Sequence, residues 1–397
     1  MTVEAGAPDA PAPEVAARAA TVRDWLIGEA RFIDDPDTLV EGFVARLIDA
    51  GLPLDRMTSA IPTLYAVRSG LGRNWSREAG IRTLDYPWDN RADYEASPFY
   101  PAHRTRDWVV FRLDEVADED YGIVAELRRE GYTQYLCMPV FFRDGTEGGL
   151  TFATRHPEGF SESDLALLRA IEDSIAMVLE LKRVWILLRE TLRMYVGEAP
   201  QARILSGQVR RGDVVHIRSA IVFADMRGFT ALSGGMSGEE TVDLLNRYFD
   251  CVVPPIEEAG GDVLKYIGDG VLAIFRAEER GEAACAKALK AARVILERIA
   301  ADRAVAAPAR RFDIKIALHF GEVAYGNIGS GARLDYTVVG PGVNLASRLA
   351  DLAGRLERRI LVSEDFARRL PDQGFEAMGA QELRGVAAPQ RVLAPRT

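Results

Sequence analysis

The stretch that most constrains this chain runs from Ser219 to Phe275. It opens with an apolar run that ends in an acid, Ile221-Val222-Phe223-Ala224-Asp225. It closes with two apolar runs joined by Gly268-Asp269-Gly270, from Val263 to Ile267 and from Val271 to Phe275. Such runs read as buried strands, and the glycines permit a tight hairpin turn that leaves the Asp269 carboxylate at its tip. Between them, Ser237-Gly238-Glu239-Glu240 has the form of a capping box. Val242, Leu245, Phe249, Val252 and Ile256 then follow at helical spacing as one expected apolar face. Pro254 and Pro255 are expected to kink this helix, and Gly260-Gly261 to end it. A carboxylate at the end of a buried strand, with another on a hairpin tip, suits a hard divalent cation, which takes one or two carboxylates plus phosphate oxygens. Each acid also has an ordinary reading, Asp225 as a helix-cap acid and Asp269 as a turn residue, and spacing alone leaves both open.

The chain has 397 residues, more than one ordinary core, so two domains are expected. Its formal net charge of −10 makes it a poor non-specific ligand for nucleic acid or an anionic membrane surface. A polyanionic substrate would therefore need local positive contacts. Cys137, Cys251 and Cys285 are scattered and odd in number, which argues against a disulfide framework and for a reducing compartment. No apolar run reaches the ~18 residues that span a bilayer. The N-terminus lacks a basic segment followed by an apolar core, so a cytoplasmic protein without a signal peptide is expected.

Residues 1–20 are rich in Ala and Pro and read as a disordered tail, at most helical toward Ala16. Residues 21–163 read as a mixed α/β domain. Val40, Phe43, Val44, Leu47 and Ile48 recur at helical spacing after the expected cap Asp37. Strand-like runs follow at 108–111, 135–142 and 149–153, the last two separated by the turn Arg143-Asp144-Gly145-Thr146. Ser161 or Ser163 is expected to cap the next helix. The strand, turn, Gly-rich strand and GFSESDLALLRAIEDSIAMVLE resemble the end of a GAF-type sensory domain. This implies a small-molecule or protein regulator at the N-terminal domain. Trp75, Tyr86, Trp88, Tyr94, Phe99, Tyr100, His103 and Trp108 cluster in the same region. Core and loop packing is their first reading and a ligand pocket the alternative; His103, without other metal-type ligands nearby, reads as structural.

Residues 164–200 read as one signalling helix, with Leu168, Ile171, Ile175 and Val178 at 3/4 spacing, and Leu181, Trp185, Leu188, Leu192 and Tyr195 again after one break in phase. Spacing near 3.5 suits a two-stranded coiled coil; packing on its own domain is the alternative. Gly197 and Pro200 are expected to end the helix, residues 201–215 to act as a connector, and 216–397 to form the second domain.

Met226-Arg227-Gly228-Phe229-Thr230 follows the first acid as a turn whose N–H groups could face a phosphate. Together FADMRGFT, KYIGDG and DYTVVGPGVNLASRL resemble, in order and spacing, the catalytic domain of class III nucleotidyl cyclases, from about His216 to the C-terminus. The resemblance implies a ferredoxin-like α+β fold of the α/β class and two Mg²⁺ or Mn²⁺ ions per active site. Asp225 and Asp269 would be the metal carboxylates and the Met226 carbonyl a further ligand. Phe229 and Thr230 fall among the substrate-binding positions. Lys265 matches the purine-reading lysine, and Thr337 stands where many members carry an aspartate as the other base reader. Asn344 and Arg348 match the residues that orient the ribose and stabilise the transition state. Arg384 falls where a basic residue meets the terminal phosphates. Taken singly, Lys265 would be a solvated strand residue, Arg348 a surface arginine and Asn344 a cap.

The implied reaction is attack of the ATP ribose 3′-hydroxyl on the α-phosphorus, giving 3′,5′-cyclic AMP and pyrophosphate. Asn344 and Arg348 lie four apart, on one helix face, so both can reach one substrate. Lysine can donate to an adenine ring nitrogen and the threonine hydroxyl can accept from the exocyclic amine, which favours ATP over GTP. Guanylate cyclase is the alternative within the family, and a non-catalytic nucleotide-binding signalling module the alternative outside it. Diguanylate cyclases are disfavoured because the chain has no GG[DE]EF run. In the family the metal acids of one subunit face the base and transition-state residues of the other, so a head-to-tail homodimer is implied, coupled by the 164–200 helix.

Overall fold

The computed structural model describes residues 12–62, 70–86, 91–278, 280–331 and 333–396, and Trp88 lies outside them. The chain divides into two compact units, Met1–Thr191 and Leu192–Thr397.

The first unit opens with α1 (Pro13–Gly28) and α2 (Pro36–Asp49) and continues through β1 (Arg56–Pro62), β2 (Gly70–Ser76) and β3 (Gly80–Tyr86). Then come α3 (Arg91–Glu95), α4 (Phe99–Thr105), β4 (Val109–Arg112), α5 (Val124–Arg129), β5 (Gln134–Phe141), β6 (Glu147–Thr154) and α6 (Glu162–Val196). Its six-stranded sheet has the order β3-β2-β1-β6-β5-β4, antiparallel throughout. Both faces are covered, and β5 shows how: Leu136, Met138 and Val140 join a core with α1, α2 and α6, while Tyr135 and Cys137 join one with α4 and α5. This is the two-residue alternation of a strand.

Three expectations are corrected here. The segment expected to be disordered to residue 20 is helical from Pro13, because proline suits a first helical position and Val15 and Ala19 are buried. The α2 cap is Asp35, whose carboxylate accepts from the Thr38 N–H at 2.8 Å; Pro36 takes the first helical position, and Asp37 instead pairs with Arg73 at 2.6 Å. Ser161, not Ser163, caps α6, bonded reciprocally with Asp164. Along α6, Leu168, Ile171, Ile175 and Val178 are buried in the first unit's own core, whereas Leu181, Trp185, Leu188 and Tyr195 are exposed.

The second unit contains α7 (Glu198–Leu205), β7 (Val214–Met226), α8 (Phe229–Ser233), α9 (Gly238–Glu258), β8 (Asp262–Ile267), β9 (Gly270–Arg276) and α10 (Glu282–Val305). It continues with β10 (Ile314–Gly329), β11 (Leu334–Val339), α11 (Pro341–Arg355), β12 (Ile360–Ser363), α12 (Glu364–Ala367), β13 (Phe375–Gln381) and β14 (Gln390–Pro395). The expected connector is thus partly helical: Gly197, at φ 87°, and Pro200 open α7 rather than merely ending α6. The eight-stranded sheet has the order β13-β14-β12-β10-β7-β9-β8, with β11 paired to β10. β7 is central. Its Ala220, Val222, Ala224 and Met226 pack on α9 and α10, and Ile221 and Phe223 pack on the face that α11 covers.

The α9 capping box is present in both directions between Ser237 and Glu240. Gly260, at φ 79°, and the Gly261 N–H bonded to the Ile256 carbonyl end the helix. Its buried face is Leu244, Tyr248, Cys251, Val252 and Ile256, and Val242 is exposed. Of the expected face, Val252 and Ile256 are buried and Leu245 and Phe249 pack partly against the same core, so the helix's first half is turned slightly, centring burial on Leu244 and Tyr248. Among the described residues no helix is long and apolar enough to cross a membrane, and all three cysteines are buried and unpaired.

The long β7–β10 ladder admits no side chain at Gly326, where a Cβ would lie 2.0 Å from the Asp213 carbonyl oxygen. Gly326→Ala should destabilise the second unit by about 1–3 kcal/mol. Faster hydrogen exchange along β7 and β10 is the expected readout, and unchanged protection would refute this account of the ladder.

Candidate active site

The ladder brings the acids together. β9 pairs with β7 as far as Ala224↔Val271, so the turn after β8 lies beside the end of β7. The carboxyl groups of Asp225 and Asp269 share a hydrogen bond, and Asp269 also accepts from the Met226 backbone N–H. Burial first, then the hydrogen bond and charge of Asp225, push the Asp269 carboxyl up to about 6. Two carboxyl groups in contact cannot both ionise cheaply, so Asp269 holds its proton to higher pH than a free carboxyl does.

Two further groups stand at this point, and neither was read from the sequence. Lys315 lies directly opposite Asp225 in the β7–β10 register, and its ammonium is 2.8 Å from the Asp225 carboxylate. Tyr248 of α9 is fully buried and its hydroxyl has no protein hydrogen-bond partner. Burial, then the charges of Asp225 and Asp269, push that hydroxyl well above its ordinary range. Tyr248 hides in the helical apolar pattern. Lys315 could be found only from strand register, which one sequence does not print.

The donor set fits a cation. Two carboxyl groups that crowd each other, next to the main chain of Met226, suit a hard divalent ion that completes its shell with phosphate or water oxygens. Among the described residues no group of three or more His, Cys, Asp or Glu side chains gathers to make a closed metal cage.

The other expected residues fall into two groups. On β8, Lys265 forms an ion pair with Asp335 of β11. Thr337, two residues on and buried, shares that strand face. On α11, Ala346, Leu349, Ala350 and Ala353 pack inward, while Asn344 and Arg348 are exposed one turn apart. No hydrogen bond or ion pair among the described residues joins either of them to the acids; Arg348 meets Asp351 at 3.5 Å. Phe229 of α8 packs partly against the α9–α10 core, and Thr230 is exposed. Arg384 is exposed beside the buried Leu383 and makes no side-chain bond among the described residues. Underneath α11, His319 bonds Ser363 at 2.8 Å, and burial lowers it to about 4, so its imidazole is neutral near pH 7.

The acid pair sets a pH dependence. Asp269 holds its proton to higher pH folded than unfolded, so the folded state binds more protons between about pH 4 and 6. This contribution to stability is present below that window and lost as pH rises through it. Asp269→Asn should abolish that loss and raise the thermal midpoint above pH 7; a midpoint lower than wild type there would contradict it. Mg²⁺ should raise the wild-type midpoint more at pH 8 than at pH 5, since ionised carboxylates bind it.

Residues 215–392 match the family model described as the adenylate and guanylate cyclase catalytic domain. The chain is 36% identical over 159 residues to an adenylate cyclase of Anabaena cylindrica, covering 38% of this chain and 31% of that protein. It is also 36% identical over 180 residues to an uncharacterized protein of Mycobacterium tuberculosis, covering 45% and 32%. The chain thus spans about a third of the length of these curated relatives. Among solved structures it is similar to the adenylyl cyclase CyaB from P. aeruginosa, at 26% identity and a TM-score of 0.43 over 47% of this chain and 96% of that one. It is likewise similar to the guanylyl cyclase Cya2, at 26% identity and a TM-score of 0.40 over 45% and 92%. The match to the adenylate and guanylate cyclase catalytic domain family is carried by residues 215–392 of the second unit.

Proposed function

We propose that the second unit is an adenylate cyclase, converting ATP to 3′,5′-cyclic AMP and pyrophosphate at sites shared by two copies of the chain. The observation that carries this reading is the contact between Asp225 and Asp269 at the end of the central strand, with Lys315 beside them, inside a domain that matches the cyclase family. When held by Asp225, Asp269 and the Met226 carbonyl, Mg²⁺ or Mn²⁺ supplies an acidified attacking hydroxyl and a neutralised leaving group. The Lys315 ammonium, already drawn to this point, offers the triphosphate a positive contact in an otherwise acidic chain. Arg348 presents fixed donors to the α-phosphoryl oxygens as their charge grows, and Asn344, one turn earlier, orients the ribose. Phe229 and Thr230 flank the phosphates, and Arg384 meets the terminal ones.

Lys265 and Thr337 would read the base. The Lys265–Asp335 ion pair draws β8 toward β11, the strand that also carries Thr337, which supports a joint role, and the relative named adenylate cyclase supports adenine. Guanylate is the alternative, because a threonine hydroxyl donates as readily as it accepts. The exposure of Asn344 and Arg348, away from their own acids' hydrogen bonds, supports a site completed by a second subunit. The homodimer would be held by α6, whose exposed Leu181, Trp185, Leu188 and Tyr195 follow coiled-coil spacing. The first unit would be a GAF-like sensory domain that regulates the second. A cytoplasmic setting belongs to the same reading, supported by three cysteines that stay unpaired.

Asp225→Ala and Arg348→Ala should each lower turnover by about 10²-fold or more. Mixing the two variants should restore activity, because the heterodimer rebuilds one intact site; no recovery from folded, mixed dimers would overturn the shared site. Lys265→Glu with Thr337→Cys should shift preference from ATP toward GTP, and an unchanged ratio of kcat/KM values would remove these residues from base reading.

A further inference from the structure

We propose that the first unit binds a small planar aromatic cation, such as a heteroaromatic amine, in a cavity between its sheet and α3–α5. The cavity measures about 670 Å³, within the size range of small-molecule sites. Thr58 of β1, Tyr135 of β5 and Thr151 of β6 contribute to its floor, and Tyr94, Phe99 and Ile123 to its roof. Tyr94, Phe99 and Tyr135 offer ring faces here, which suits a planar ring system.

One end of the cavity is built and polar. His103 is buried, and its ring lies nearly parallel to Phe99 at 5.6 Å and to Tyr94 at 5.9 Å. Its Nε2 is 2.9 Å from the Gly148 carbonyl oxygen, which can only accept, so Nε2 carries the proton. Nδ1 is then free to accept from the Tyr94 hydroxyl at 3.0 Å. The Glu147 carboxylate stands 3.4 Å from that Nδ1. Tyr94 is thereby fixed in place with acceptor capacity left toward the cavity, and the Glu147 carboxylate, which the unprotonated Nδ1 cannot bond, keeps all of its own.

The charges on the lining choose the ligand. Arg56 is the only basic side chain among the described lining residues apart from His103. Its guanidinium is already committed to Glu126 at 2.8 Å and Glu130 at 3.4 Å. Asp93 and Glu147 add carboxylates that no arginine or lysine among the described residues pairs. Ring faces together with carboxylates attract a cation and repel an anion. The cavity lies wholly within the first unit, so occupancy does not depend on the cyclase reading of the second.

Proflavine, a planar aromatic cation with its own fluorescence, tests this on the full chain without nucleotide. Acridine-9-carboxylate serves as the anionic counterpart. Proflavine should bind saturably and about tenfold or more tighter than the carboxylate. Glu147→Gln, at a partly exposed position, should weaken it about threefold or more, and Phe99→Ala should do the same. Comparable or tighter binding of the carboxylate would overturn the proposal. So would displacement of proflavine by cyclic AMP, absence of saturable binding, or a Glu147→Gln variant that binds as wild type.

Discussion

Two carboxyl groups held in contact are an expensive arrangement, and a fold that maintains one has to over-determine it. Here the contact between Asp225 and Asp269 is imposed by main-chain pairing. β7 is fixed on one side by β10, in register from Val214 to Met226, and on the other by β9, from Ser219 to Ala224. The side chains cannot retreat without undoing hydrogen bonds on both flanks. Two helices seal one face of this strand and a third the other. The repulsion is met locally, by a proton that Asp269 gives up only at raised pH, by the Met226 N–H and by Lys315. What would be a flaw in a structural sheet is the property that suits this strand end to a cation.

Much of that arrangement was legible in the order of residues. Continuous apolar runs and paired glycines announced β7 and the β8–β9 hairpin, and Ser237 with Glu240 announced the start of α9. What escaped reading shares one cause: it depends on partners distant in sequence. Lys315 became part of the site only when β10 was set antiparallel to β7 with Lys315 opposite Asp225. β2 and β3 carry Gly70, Gly72, Arg73, Asn74, Arg82 and Asp85, a composition that hides strands. They form because each pairs with a neighbour and because Gly72 lets the Tyr86 ring lie close against β2. The slight turn of α9's first half was not legible because burial there is decided by which residues meet Phe312 and Phe275, not by hydropathy alone.

The first unit obeys the same logic with different chemistry. His103 was read as structural, and it is buried and hydrogen-bonded at both ring nitrogens. Yet its partners Tyr94 and Gly148 also line the cavity, so a residue that holds two elements together simultaneously shapes a surface. Leu168 to Val178 of α6 belong to that unit's core, so the helix is anchored at one end by ordinary packing. Only its later apolar residues remain for anything else.

The ion pair between Lys265 and Asp335 has a consequence for molecular discrimination. If Lys265 reads a base, it does so by leaving a carboxylate, so each nucleotide is judged against an internal competitor. A base with a good acceptor wins the exchange and a poor one leaves the latch shut. Selectivity then arises from the difference between two bonds, not the strength of one. Because one of those bonds joins two half-exposed charges, added salt should loosen the latch and blunt the choice.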